Sequence, residues 1–81
     1  MKIEIFGPGC PKCEEFARIV QEALDALNCP DTLEKVKDMG KIVDAGVLMT
    51  PGLSINGTLK CTGRVPKLEE VKKWIEEAQN T

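Results

Sequence analysis

The sequence contains no histidine. That excludes a His-dependent catalytic dyad or triad within this chain, and with it Cys₂His₂ zinc sites and histidine-ligated haem. Basic charge is not in excess either. Eleven lysines and arginines stand against 13 aspartates and glutamates, for a net charge of -2, so a nucleic-acid footprint is not indicated. Apolar runs are short. Ala45 to Met49 is among the longest and falls far below a membrane span. The opening Met1-Lys2-Ile3-Glu4-Ile5-Phe6 lacks the apolar core and small-residue cleavage site of a signal peptide, so a cytoplasmic protein is expected. With 81 residues there is no material for a second core, and one domain over 1–81 is expected. Repeats, linkers and low-complexity segments are missing as well.

Four cysteines are present: Cys10, Cys13, Cys29 and Cys61. In a secreted chain they could form a disulfide framework. A cytoplasmic compartment keeps thiols reduced, and there closely spaced cysteines are more often catalytic or metal-binding.

Hydrophobic patterning organises the rest. Lys2 to Phe6 reads as a strand, broken by Gly7-Pro8-Gly9. A helix follows from Pro11 to Leu27, with Phe16, Val20, Ala23, Leu24 and Leu27 as its apolar stripe, and Asn28-Cys29-Pro30 stops it. Thr32 to Lys37 reads as a charged edge strand. Asp38 caps a short helix through Ala45, ended by Gly46, with Met39, Ile42 and Val43 expected to face inward. Leu53 to Asn56 and Thr58 to Thr62 form a hairpin around Asn56-Gly57. The last helix is expected from Pro66 to Gln79, with Leu68, Val71, Trp74, Ile75 and Ala78 on its buried face. The order is β-α-β-α-β-β-α. Strands joined by a crossover helix should be parallel, and the hairpin is antiparallel. An α/β fold with a mixed four-stranded sheet and helices on both faces follows.

Chemistry concentrates in Cys10-Pro11-Lys12-Cys13, where the first strand gives way to the first helix. A thiol at a helix N-terminus faces unsatisfied N–H groups and the positive end of the macrodipole. Both favour thiolate, and Lys12 adds positive charge nearby. Cys13 lies about one turn further on, placed to attack a mixed disulfide on Cys10. Pro11 presets the first-turn backbone. The expected roles are Cys10 as nucleophile and Cys13 as resolving thiol, with Pro11 and Lys12 in support.

Phe6-Gly7-Pro8-Gly9-Cys10-Pro11-Lys12-Cys13, Met49-Thr50-Pro51-Gly52 and Gly63-Arg64-Val65-Pro66 together resemble the small thioredoxin-like, redox-active disulfide proteins of bacteria and archaea. The match spans essentially the whole chain. The resemblance implies a thioredoxin-like fold of glutaredoxin size and a thiol–disulfide oxidoreductase working in electron transport. It implies a cis proline at Pro51 beside the CxxC, and a residue at Thr50 that offers its backbone to substrate. Gly9, Thr50 and Pro51 are the expected substrate-binding residues. Thioredoxins also bury an acid six residues before the first active-site cysteine. Glu4 has that offset and is assigned, as a hypothesis, to moving the Cys13 proton.

No bound cofactor is expected, because a Cys10–Cys13 dithiol or disulfide itself carries the two electrons. Expected partners are disulfide-containing proteins or small molecules and a separate disulfide reductase. The chain is expected to be a monomer, without nucleic acid, membrane or metal. Cys29 is expected at the pole opposite the CxxC as a partly covered helix-end residue. Cys61 is expected near the active rim, too far from Cys29 to bridge. Two alternatives remain open. One is a redox-sensing or partner-binding module with the same pair and little turnover. The other is a soft-metal-binding CxxC protein, although such proteins usually end in a strand and have Met where Pro8 stands.

Overall fold

The computed structural model describes residues 1–79. They form β1 (Ile3–Phe6), α1 (Pro11–Ala26), β2 (Leu33–Val36), α2 (Met39–Asp44), β3 (Gly52–Ile55), β4 (Thr58–Thr62) and α3 (Leu68–Gln79). This is the element order the patterning predicts. The sheet runs β2-β1-β3-β4. β1 is parallel to β2 and antiparallel to β3, and β4 returns antiparallel to β3. β1 is therefore central, and β2 takes the edge position its charges suit.

Strand alternation decides what each helix covers. Ile3 and Ile5 of β1, with Leu53 and Ile55 of β3, face the main core. They meet Phe16, Val20, Ala23 and Leu24 of α1 and Val71 and Ile75 of α3. Phe16, Val20, Leu24, Val71 and Ile75 are fully buried, and each such side chain contributes roughly 1.5–3 kcal/mol by leaving water. On the opposite face Phe6 and Val36 meet Ile42 of α2 and Val47 in a smaller cluster. Helices thus lie on both faces, as expected. Trp74, Leu68 and Ala78 pack at the margin of the main core, half-buried.

Some details depart from the pattern. In the six-residue α2 only Ile42 is buried, while Met39 and Val43 are 56% and 59% exposed, against the inward-facing expectation. A helix of about one and a half turns presents little more than one residue to the sheet. Val47, beyond the helix, fills the remaining space. α3 begins at Leu68 rather than Pro66. Pro66 is fully buried, and the Glu70 carboxylate accepts the Lys67 N–H at 2.9 Å, so the cap falls after the proline. Cys29 is buried, its thiol donating to the Asp31 carboxylate at 3.5 Å, not merely half-covered. A register shift between β3 and β4 at Leu53/Ser54 has no counterpart in the patterning.

The turns follow their residue types. Asn56 and Gly57 both have positive φ, at 53° and 84°, as a tight hairpin requires. Asp38 caps α2 by accepting N–H bonds from Gly40 at 2.8 Å and Lys41 at 3.2 Å.

Candidate active site

The site forms where β1 hands the chain to α1. The Gly7 N–H donates to the Val36 carbonyl at 3.0 Å, so the β1–β2 ladder fixes the start of the loop. Gly9, at φ +98°, turns the chain. Cys10 then takes extended geometry as the N-cap of α1, and Pro11 occupies the first helical position. The Cys10 carbonyl accepts the Glu14 N–H at 3.0 Å. Its sulfur accepts the Cys13 N–H at 3.4 Å, the part an oxygen plays in an ordinary cap.

The two sulfurs lie 2.6 Å apart, and both residues are free cysteines. Their surroundings differ. Cys10 is half-exposed and Cys13 buried. The Cys13 thiol, and then the Cys13 N–H, hydrogen-bond to Cys10 and hold its pKa below the ordinary thiol value, although partial burial opposes them. Burial pushes Cys13 up, and its bond to the Cys10 sulfur adds to that. One position therefore favours a thiolate and the other a thiol. Gly7 makes room for this pair, since a Cβ there would run into the Cys13 sulfur.

The second wall comes from the segment entering β3. Phe6 and Gly52 are register partners, so the chain before Gly52 lies beside the chain after Phe6. The Thr50–Pro51 peptide bond is cis, and Pro51 is fully buried. Thr50 Cβ lies 4.0 Å from where a Gly7 Cβ would stand, the position that Cys13 also borders. Gly9, Cys10, Cys13, Thr50 and Pro51 thus share one end of the sheet. Pro11 and Lys12 are exposed on the first turn of α1.

Glu4 lies on the other face of the sheet. It shares a strand face with Phe6, and with Val36, Lys37, Lys41 and Asp44 it lines a 500 Å³ groove beside α2. Cys13 belongs to α1, which covers the opposite face. Cys61 pairs with Leu53, one step in from the active end, and donates its thiol to the Arg64 carbonyl at 3.6 Å.

The patterning did not single out two features. Leu48 and Met49, just before Thr50, are 88% and 67% exposed. On the other flank the Lys37 side chain reaches Gly9. The sequence held a signal for both. Parallel β1 and β2 end together, so the residue after β2 lies beside the CxxC loop, and β3 starts at that end because its pairing is antiparallel.

Among the described residues no group of three or more Cys, Asp or Glu is placed to hold a metal ion. No helix among them is long and apolar enough to cross a membrane.

Comparison with known proteins gives the same picture at the level of families. Residues 1–76 match the family model described as a thioredoxin domain. A thioredoxin of Methanothermobacter thermautotrophicus is 42% identical over 75 residues, covering 93% of this chain and 97% of its own. A thioredoxin of Methanocaldococcus jannaschii is 35% identical over 73 residues, covering 90% and 84%.

Proposed function

The chain belongs to the thioredoxin family, and we propose that it acts as a single-domain thiol–disulfide oxidoreductase through Cys10 and Cys13. The observation that carries this reading is the unequal pair: a half-exposed sulfur capping α1, 2.6 Å from a buried thiol.

In the reducing direction the Cys10 thiolate attacks one sulfur of a substrate disulfide. A Cys10–substrate disulfide forms, and the departing sulfur leaves as a thiolate that takes a proton. The Cys13 thiol then loses its proton and attacks Cys10 Sγ. The Cys10–Cys13 disulfide forms, and the second substrate sulfur leaves and is protonated. The substrate gains two electrons from the pair and two protons, one lost by Cys13 and one taken from solvent, to which Cys10 had already released its own. A separate disulfide reductase resets the pair, and no bound cofactor is required. Thr50 and Gly9 lie on either side of the thiols, where an extended substrate segment can bond to their backbone, and Pro51 walls the site. Pro11 sets the first turn, and Lys12 adds positive charge to the anionic end.

The test is a Cys13→Ser trap. With only Cys10 available, incubation with an oxidised protein substrate should accumulate a stable mixed disulfide on Cys10, visible by mass spectrometry and released by reductant. Cys10→Ser should form none. A Cys10→Ser protein that turns over substrate disulfides like the parent would overturn the assignment.

A further inference from the structure

The CxxC loop is flanked unequally. β1 is central in the sheet, so the loop that follows it has β3's entry on one side and β2's exit on the other. The β3 side is apolar, with exposed Leu48 and Met49 ahead of Thr50. The β2 side carries Lys37. Its Nζ lies 3.7 Å, and its Cε 3.8 Å, from the point where a Cβ on Gly9 would stand. A cation therefore rests against the residue that precedes the nucleophile.

Among the described residues no carboxylate lies within 4 Å of the Lys37 ammonium. Of the acids nearby, Glu4, Glu34 and Asp44 line the same groove as Lys37 without an ion pair to it, and Glu14 and Asp38 are engaged elsewhere. Glu14 is held by Lys35 at 3.0 Å and feels Lys37 only at longer range. The Asp38 carboxylate accepts the two N–H bonds that cap α2. The backbone on either side of Lys37 is also fixed, by the Val36 carbonyl that takes the Gly7 N–H and by the Asp38 cap.

We infer that Lys37 is a specificity-determining residue that selects disulfide substrates carrying a carboxylate beside the attacked cysteine. This rests on the exchange reading above. An extended chain crossing the loop from Thr50 to Gly9 places its apolar side chains toward Leu48 and Met49. It places the next one or two residues past the cysteine within reach of Lys37. The chemistry of exchange is untouched. Lys37 contributes charge complementarity to the encounter and to the mixed disulfide.

Overall charge argues the other way, which makes the inference sharp. A protein of net charge -2 should by itself favour basic peptides. A preference for acidic ones must come from the local field.

The experiment uses three disulfide-linked peptides that differ only in having Glu, Gln or Lys on either side of the cysteine. The reduced full-length protein acts on each, with kcat/KM as the readout at low ionic strength. The Glu peptide should react about threefold faster than the Gln peptide, the size expected of one partly exposed ion pair. The Lys peptide should be slowest. The ranking should flatten at about 0.5 M salt, flatten in Lys37→Gln and reverse in Lys37→Glu. Lys2→Gln removes the same charge at the far end of the sheet and should keep the parent ranking. A parent ranking that favours the Lys peptide overturns the inference. So does an unchanged ranking in Lys37→Glu, or an equal flattening in Lys2→Gln. If the parent reduces none of the peptides, exchange itself fails, and this inference with it.

Discussion

Cys10 and Cys61 stand near the same end of the sheet, yet their hydrogen bonds run in opposite directions. The Cys10 sulfur accepts an N–H at the start of a helix, which is worth most when the sulfur is negative. The Cys61 sulfur donates to the Arg64 carbonyl, a bond that exists only while the proton is present. Burial pushes Cys61 up, against some relief from Arg64, whereas the bonds from Cys13 bring Cys10 down. The difference teaches that reactivity in this fold comes from what meets the sulfur: a neighbouring thiol and then helix-start N–H groups lower Cys10, while burial at a strand end raises Cys61. A helix start offers donors and a strand end offers a carbonyl.

Alkylation would break or confirm that contrast, and it carries the largest expected effect. The thiolate is the reacting form, so a lowered pKa moves the plateau of the rate to lower pH and a raised one moves it higher. Cys10 should reach its plateau at a lower pH than an ordinary thiol, and Cys61 at a higher one. At pH 7 the two should differ on the order of a hundredfold, since burial also slows Cys61. Iodoacetamide labelling followed peptide by peptide, with the protein kept reduced, measures both. Parallel pH profiles for the two cysteines would remove the hydrogen-bond argument.

Much of this was readable in the chain. The CxxC after a strand and before a helix placed Cys10 at a cap, and the cap is there. Asn56-Gly57 and the Asp38 start of α2 were legible because local chemistry alone determines them. What escaped was tertiary. The exposure of Met39 and Val43 depends on how little of a short helix meets the sheet. The burial of Cys29 depends on how the chain leaves α1. Gly7 and Lys37 matter through neighbours distant in sequence, Cys13 and Gly9 respectively, and hydrophobic periodicity carries no information about either contact.

Gly7 sharpens the comparison from the other side, because Cys13 needs space as well as a partner. Gly7→Ala would push a methyl into the Cys13 sulfur while the Gly7 N–H stays tied to Val36. Cys13 must shift, and a misplaced resolving thiol attacks Cys10 poorly. We expect resolution to slow by about tenfold or more, with a Cys10 mixed disulfide building up during turnover. Overpacking should also cost about 1–3 kcal/mol of stability, measured by urea unfolding. Parent-like turnover in this variant would show that the pocket behind Cys13 is loose.

The smallest effect is expected at Glu4, and the reason is the face of the strand. Glu4 points to the side of β1 that holds Phe6 and the α2 groove, in register with Glu34 on β2 and Ser54 on β3. α1 and its Cys13 cover the other side. A proton passing between Glu4 and Cys13 would have to cross the sheet or run around its end. Glu4→Gln should therefore change either half-reaction by less than about twofold, within the range usual for substitutions outside the reacting groups. Stopped-flow measurement of mixed-disulfide resolution from pH 5 to 9 separates the cases. A parent-like profile leaves Cys13 to be activated locally, by the Cys10 pair alone. A resolution step slowed severalfold, with its pH midpoint displaced, would give Glu4 a proton-carrying role and require a water path from the α2 groove to the thiols.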